Sequence, residues 1–240
     1  VTSTVIDLSH YNPEPNWDQL KASQIMGVIL KATEGTGYVD PTYVQRRREA
    51  EAVGLPVVAY HFLKPGNVGL QTIHFLETVN PIKGERVIID YEDAGCNLSD
   101  LEVMVQTLLA LALDLQVTVY GGGKLKADMG SVKSTILSKT SLWLAQYGPN
   151  PSWPTQTWPS WSLWQSTDAA TVPGIRSPVD GSVFNGTNEN LVKWLRPAKS
   201  AVPTPVPGPV VPGREPNVEI SLQVDPGVTV EVWINGKRAA

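Results

Sequence analysis

A chain of 240 residues with 42% hydrophobic and 18% charged side chains has room for one large domain or two modest ones, which excludes a wholly disordered polypeptide. One cysteine, Cys96, excludes an intrachain disulfide framework and a multi-cysteine zinc site, and the scattered histidines His10, His61 and His74 leave little from which to build a His-based metal centre. The net charge of −4 argues against a nucleic-acid-binding face; the charged residues beyond 196 cancel, so the acidic surplus lies within 1–196.

From the N-terminus, short β-branched and aromatic runs alternate with helix-like segments. The strand candidates are 5–9, 27–33, 56–62, 86–92, 116–121, 141–147, 160–166 and 180–185, the eight runs that a closed barrel needs. Between them, Asn16 with Gln19 forms a capping pair ahead of Leu20, and Asp40-Pro41 reads as an N-cap with proline in the first turn of a helix that Gly54 ends. Asn67 caps the run to Val79, and Ser99 with Glu102 reads as a capping box before the apolar stretch 101–115. The triplet Arg46-Arg47-Arg48, with Glu49 and Glu51 beside it, reads as a solvated helix face. Strand then helix, repeated about five times, calls for parallel strands joined by crossover helices.

After Tyr147 the text becomes rich in Pro and Trp and loses helical periodicity, so the last strands follow one another through loops. The expectation is an α/β fold: an irregular, TIM-like (β/α) barrel of eight strands and about five helices over residues 1–196. Residues 197–217 hold seven prolines and read as an extended linker. Beyond it, Val218, Ile220, Leu222 and Val224, then Val228, Val230, Val232 and Ile234, alternate with polar residues around Asp225-Pro226-Gly227, the pattern of a β-hairpin over 218–240. A lone hairpin is marginal in water, so this appendage is expected to self-associate or to anchor on a target. No apolar segment reaches the ~18 residues of a membrane span and no signal-peptide pattern opens the chain. Membrane insertion is therefore not expected, and work outside a cell implies a signal already removed or another route out.

The segment Val87-Ile88-Ile89-Asp90-Tyr91-Glu92-Asp93 is the most informative for chemistry. A continuous apolar run reads as a strand buried on both faces, and it ends in acids. Period-2 alternation sets Asp90 and Glu92 on one side, about 6 to 7 Å apart by the rise of a strand, and Tyr91 on the other. The C-terminal end of a barrel strand is where active sites form. Asp7 ends the first strand and Asp180 begins the last; an antiparallel last strand brings all four carboxyls to one mouth. Tyr60 and Phe62 share a strand face, Tyr120 and Gln165 end strands, and Tyr147 lies near a strand end, which makes them either barrel core or candidate ligand contacts at the mouth. Lys31, on an otherwise buried strand, is expected to pair with one of the acids, in a role either structural or catalytic. His10 and His61 read as loop and outer-face residues.

Seven blocks in order, Asp7-Leu8-Ser9-His10-Tyr11-Asn12, Lys31-Ala32-Thr33-Glu34-Gly35, Ala59-Tyr60-His61-Phe62, Asp90-Tyr91-Glu92, Trp143-Leu144-Ala145-Gln146-Tyr147, Trp164-Gln165 and Asp180-Gly181-Ser182-Val183-Phe184, resemble the signature of the glycoside hydrolase family 25 lysozymes. The resemblance covers roughly 1–196. It implies an N-acetylmuramidase, often a phage endolysin, that cleaves peptidoglycan glycan strands at the bacterial wall without metal or other cofactor. Glu92 would be the general acid. Asp90 would be either the nucleophile or the group that stabilises attack by the substrate's own N-acetyl, and both routes retain configuration. Asp7 and Asp180 would set the proton distribution and hold the sugar, with Lys31, Tyr60, Phe62, Tyr120, Tyr147 and Gln165 around it. A family 18 chitinase is disfavoured because it needs a further Asp where this chain has Ile88. A non-catalytic wall-binding or virion protein on a dead barrel is the reading from a different class, and the presence of both Asp90 and Glu92 speaks against it.

Overall fold

The computed structural model describes residues 4–196, 218–221, 231–234 and 237–238. Contacts divide the chain into two units, Val1–Ala198 and Lys199–Ala240. In the first, strands β1 (Val5–Leu8), β2 (Gly27–Glu34), β4 (Val57–Phe62), β5 (Arg86–Asp90), β6 (Gln116–Gly121), β7 (Ser141–Ala145), β8 (Leu163–Ala170) and β9 (Val179–Phe184) form a barrel. It is closed by β1 pairing with both β2 and β9, and a two-residue strand, β3 (Tyr38–Val39), hangs on the end of β2. Strands from β1 to β8 run parallel within the barrel, and β9 returns antiparallel between β8 and β1.

Six helices accompany them: α1 (Trp17–Lys21), α2 (Tyr43–Ala52), α3 (Val68–Val79), α4 (Leu98–Ala110), α5 (Gly123–Met129) and α6 (Asn188–Leu195). β7, β8 and β9 succeed one another without an α-helix, as the loss of periodicity after Tyr147 predicts. Alternation along the strands builds two cores. Val87 and Ile89 face outward into the layer shared with the helices, while Val5, Ile29, Val58, Ile88, Tyr120, Trp143 and Leu163 fill the barrel itself.

α6 closes the bottom of the barrel. Leu191, Trp194 and Leu195 join the interior cluster, and Gly27 gives Leu195 its place, since a Cβ there would lie 2.6 Å from Leu195 Cδ1. Arg86 stacks on the Trp194 ring at 4.2 Å and donates to Trp194 O at 2.8 Å, Thr118 Oγ1 at 2.8 Å and Ser141 Oγ at 2.9 Å. Burial lowers its pKa to about 9.

Several local expectations are corrected. The N-cap of α2 is Thr42; the Asp40 carboxylate instead accepts from Thr42 N, Thr42 Oγ1 and His10 N, which makes it a tie between two loops. The capping box of α4 is Asn97 with Asp100, two residues before Ser99 and Glu102, and Glu102 accepts from Ser134 Oγ. Asn67 does occupy the N-cap of α3, but in the left-handed region at φ 50° and without a side-chain hydrogen bond. Arg46 is not solvated: it is 2% exposed and donates to Ser9 O, Asn12 O and Glu14 Oε2, holding the loop that follows Asp7. A triplet of like charges does not reveal which member points inward; the carbonyls that decide it come from a loop more than thirty residues away.

The second unit contains β10 (Val218–Ser221), β11 (Glu231–Ile234) and β12 (Lys237–Arg238), an antiparallel sheet in that order. The proline-rich segment 197–217 and the Asp225-Pro226-Gly227 turn lie outside the described residues.

Candidate active site

At the mouth, β1 and β9 set Asp7 directly opposite Asp180 in the antiparallel register, and β5 ends on Asp90 with Glu92 two residues beyond. This is the meeting of acids that an antiparallel last strand predicts. Asp90 is buried, Asp7 and Asp180 are half-buried, and Glu92 lies exposed at the rim.

All four carboxyls are pushed above the ordinary range. For Asp7 the cause is burial, then the facing Asp180. For Asp90 it is burial, then the Glu92 charge, with Lys31 pulling the other way. Glu92 is raised by partial desolvation and then by Asp180. Glu92 therefore repels, and is repelled by, charge on both Asp90 and Asp180. Asp180 is raised by burial and by Asp168, while a hydrogen bond from Asp7 eases it. The four groups therefore share protons, because neighbouring carboxyls in a poorly solvated site cannot all ionise.

Among the described residues two buried side-chain polar atoms lack a hydrogen-bond partner, Asp90 Oδ1 at the mouth and Trp194 Nε1 in α6. Of the two, the carboxylate oxygen is the costlier to leave unpartnered.

The remaining predicted residues sort by depth. Tyr120 and Gln165 are covered; Tyr120 Oη donates to Gln165 Oε1 at 2.9 Å, and Gln165 Nε2 donates to Asp7 Oδ2 at 3.1 Å. They form a chain that orients Asp7. Tyr60 is half-buried, and burial followed by the charge of Asp90 raises its pKa. Tyr147 is 52% exposed, and burial of part of its ring together with Asp180 raises it to about 12.

Lys31 forms its ion pair with Glu34 Oε2 at 2.6 Å rather than with an acid of the cluster. Its ammonium lies 5.0 Å from the centre of the Phe62 ring and 5.6 Å from that of Tyr38. Lys64 lies 5.5 Å from the Phe62 ring centre and pairs with Asp93 at 2.5 Å, so two cations lie near Phe62. Glu34 is absent from the residues singled out by sequence, although it shares the block that contains Lys31. His61 is fully buried on the outer face between Thr33 and Gln71, and burial lowers its pKa to about 4. His10 is tied to Asp40 at 2.9 Å.

The loop carrying Glu92 is braced from outside. Tyr91 points away from the barrel interior, and its hydroxyl donates to Asp128 Oδ2 at 2.7 Å. Lys124 Nζ lies 4.4 Å from the Tyr91 ring centre and donates to Tyr91 Oη and Cys96 O. These α5 residues carry no sequence signal of their role, since only the tertiary fold brings α5, which packs on β6, to Tyr91. Among the described residues no group of three or more His, Cys, Asp and Glu side chains is arranged to hold a metal ion.

A mouth lined with carboxyls, amides and aromatic rings suits acid–base chemistry on a hydroxyl-rich substrate, and comparisons agree. The sequence model of the family described as "Glycosyl hydrolases family 25" matches residues 6–175, which include Asp7, Asp90 and Glu92 but stop short of Asp180. The chain is 27% identical over 201 residues to the Escherichia coli K12 protein described as "Uncharacterized protein YegX", covering 79% of this chain and 72% of that one. It is 23% identical over 203 residues to "Lysozyme M1" of Streptomyces globisporus, covering 78% and 69%. The solved structure of a family GH25 lysozyme from Aspergillus fumigatus superposes with a TM-score of 0.70 at 24% identity, covering 81% of this chain and 99% of the other.

Proposed function

The chain belongs to glycosyl hydrolases family 25 and is a glycoside hydrolase, and from that premise we propose that it is a lysozyme cleaving the β-1,4 bond between N-acetylmuramic acid and N-acetylglucosamine in peptidoglycan. The observation that carries the reading is the convergence of Asp7, Asp90, Glu92 and Asp180 at one mouth with their pKa values all raised.

Glu92 is the proton donor. It stands at the rim, where a leaving oxygen has access, and its raised pKa keeps it protonated closer to neutrality. Its proton passes to the glycosidic oxygen as the bond to C1 breaks. Asp90 is the anionic partner: Lys31 favours its ionised form, and its unpartnered Oδ1 is free to meet the positive charge that develops at C1. Either Oδ1 bonds to C1, or Asp90 stabilises the N-acetyl group while its carbonyl oxygen does so. Water then gives a proton to the Glu92 carboxylate and attacks C1 from the side the leaving group vacated, as the C1 bond to Asp90 Oδ1 or to the N-acetyl oxygen breaks and its electron pair returns to that oxygen, which retains configuration. Asp7, oriented by Gln165 and Tyr120, and Asp180 hold the shared proton away from Asp90. Tyr60, Phe62 and Tyr147 offer ring faces to the sugars.

The test is chemical. Peptidoglycan is digested, its new reducing ends are reduced with borohydride, and the reduced sugar is identified by mass spectrometry. Reduced muramic acid is expected; reduced glucosamine or a new peptide amine rejects the reading. We further read the protein as a phage endolysin acting on the wall from within, by analogy with the plan of a catalytic unit, a proline-rich stretch and a short appendage. Cytoplasmic expression followed by chloroform should then lyse the host, and intact turbid cells would reject that origin.

A further inference from the structure

An open cleft of about 660 Å³ lies between the β1–α1 loop and the tip of the β8–β9 hairpin, lined by Pro13, Glu14, Pro15, Asn16, Gln19, Gly174, Ile175 and Arg176. None of these residues belongs to the carboxyl cluster. Both walls nevertheless issue from strand ends at the mouth: one follows Asp7 on β1, and the other precedes Asp180 on β9. Arg176 lies four positions before Asp180, so their Cα atoms are at most ~14 Å apart.

The cleft is preformed. Asn16 N donates to Gly174 O at 2.7 Å, and Gly174 holds φ +93°, where a Cβ would meet Asn16 O at 2.6 Å. Beneath it, Val172 and Ile175 are buried in the core cluster that contains Trp17 and Leu20. On the opposite wall, the Arg46 guanidinium donates to Ser9 O and Asn12 O and to the carboxylate of Glu14. Both walls are thus fixed by buried groups, which spares a ligand the cost of ordering them.

The chemistry of the lining is specific. Arg176 is exposed and takes part in none of the ion pairs among the described residues, so its guanidinium is available to a carboxylate. Glu14, also exposed and already drawn toward Arg46, supplies a negative charge across from it. Between them lie the half-buried Pro13 and the exposed amides of Asn16 and Gln19, over a floor that includes the buried Pro15 and Ile175. A ligand that suits this arrangement is a short extended peptide with small side chains, bearing both a free carboxylate and a free amine.

We propose that this cleft binds the peptide stem carried by the glycan strand, so that the enzyme recognises stem-bearing muramic acid through a site separate from its catalytic carboxyls; the proposal rests on the lysozyme reading above. A stem of three to five residues spans roughly 10–17 Å when extended, which covers the separation between the acids and the cleft. Arg176 takes a stem carboxylate, and Glu14 faces the amine of its diamino acid.

The experiment compares kcat/KM on soluble glycan strands with intact stems and on the same strands after an amidase has removed the stems. For the wild type the stem-bearing strand is expected to be the better substrate. Arg176→Ala should lower the ratio of the two constants about fivefold or more, Arg176→Glu further, and Glu14→Gln less. Arg176 variants that change both constants by the same factor, or neither, overturn the stem site while leaving the lysozyme reading intact. Wild-type protein that cleaves neither strand overturns the lysozyme reading, and the stem proposal with it.

Discussion

The two ends of the barrel each hide charge, and they treat it in opposite ways. At the bottom, Arg86 is half-buried and pairs with no carboxylate among the described residues, yet it has three hydrogen-bond acceptors and a stacked tryptophan, in a plug formed by α6. At the mouth, four carboxyls gather with Lys31 as the nearest opposing charge, and that cation is itself paired to Glu34. Among the described residues Asp90 Oδ1 at the mouth has no hydrogen-bond partner, and at the bottom only the neutral Trp194 Nε1 is left in the same state. A satisfied buried charge contributes packing and a unique arrangement, whereas a cluster of raised carboxyls is a strained arrangement that a substrate can relieve. The bottom uses its charge for packing, and the proposed function assigns the charge at the mouth to reaction.

Four substitutions would break or sharpen that contrast. The largest effect is expected from Glu92→Gln, which in the proposed mechanism removes the donated proton while keeping the shape of the side chain. Turnover should fall by about 10³ with an unchanged melting temperature, and near-wild-type clearing of cell walls would move the acid elsewhere. Asp90→Asn should lose a comparable factor in rate yet melt higher at neutral pH. Because the folded protein raises the pKa of Asp90, it binds that proton more tightly than the unfolded chain does, and stability declines as pH rises from the unfolded value through the folded one. A neutral amide escapes that loss, so the melting-temperature gap between variant and wild type should narrow on acidification. A variant that melts lower at every pH would show Asp90 to be a structural group.

At the other end the pattern should reverse. Leu195→Ala empties part of the plug and is expected to cost about 2–5 kcal/mol in denaturant unfolding, with turnover per folded molecule unchanged. Lost turnover in the folded fraction would mean that the two ends are coupled. The smallest effect is expected from Tyr91→Phe, which deletes the brace between the Glu92 loop and α5. A lowering of kcat by roughly fivefold, equivalent to about 1 kcal/mol, with KM unchanged, is the anticipated result. A change in KM alone would assign the loop to substrate binding.

Much of the barrel is legible because its signals are local. The starts of β2, β5, β6 and β7 fall on the residues that the apolar runs predict, and the absence of helices between the last strands follows from the Pro and Trp content after Tyr147. Helix starts are less legible, since a cap is a hydrogen bond to one particular amide: Asn97 rather than Ser99 makes it for α4. β3 eluded the sequence because two residues carry no periodicity, and the burial of Arg46 because its acceptors are remote in the chain.

The candidate site divides along the same line. The sequence by itself determined which residues stand at strand ends, because alternation along a strand and the break at its end are properties of neighbouring residues. Only the tertiary structure decided that β9 runs antiparallel against β1 and so sets Asp180 opposite Asp7, that Lys31 answers to Glu34, and that Tyr120 and Gln165 support Asp7 from within. Those are relations between strands far apart in the chain, fixed by closure of the barrel, and no local pattern encodes the distance at which two such side chains meet.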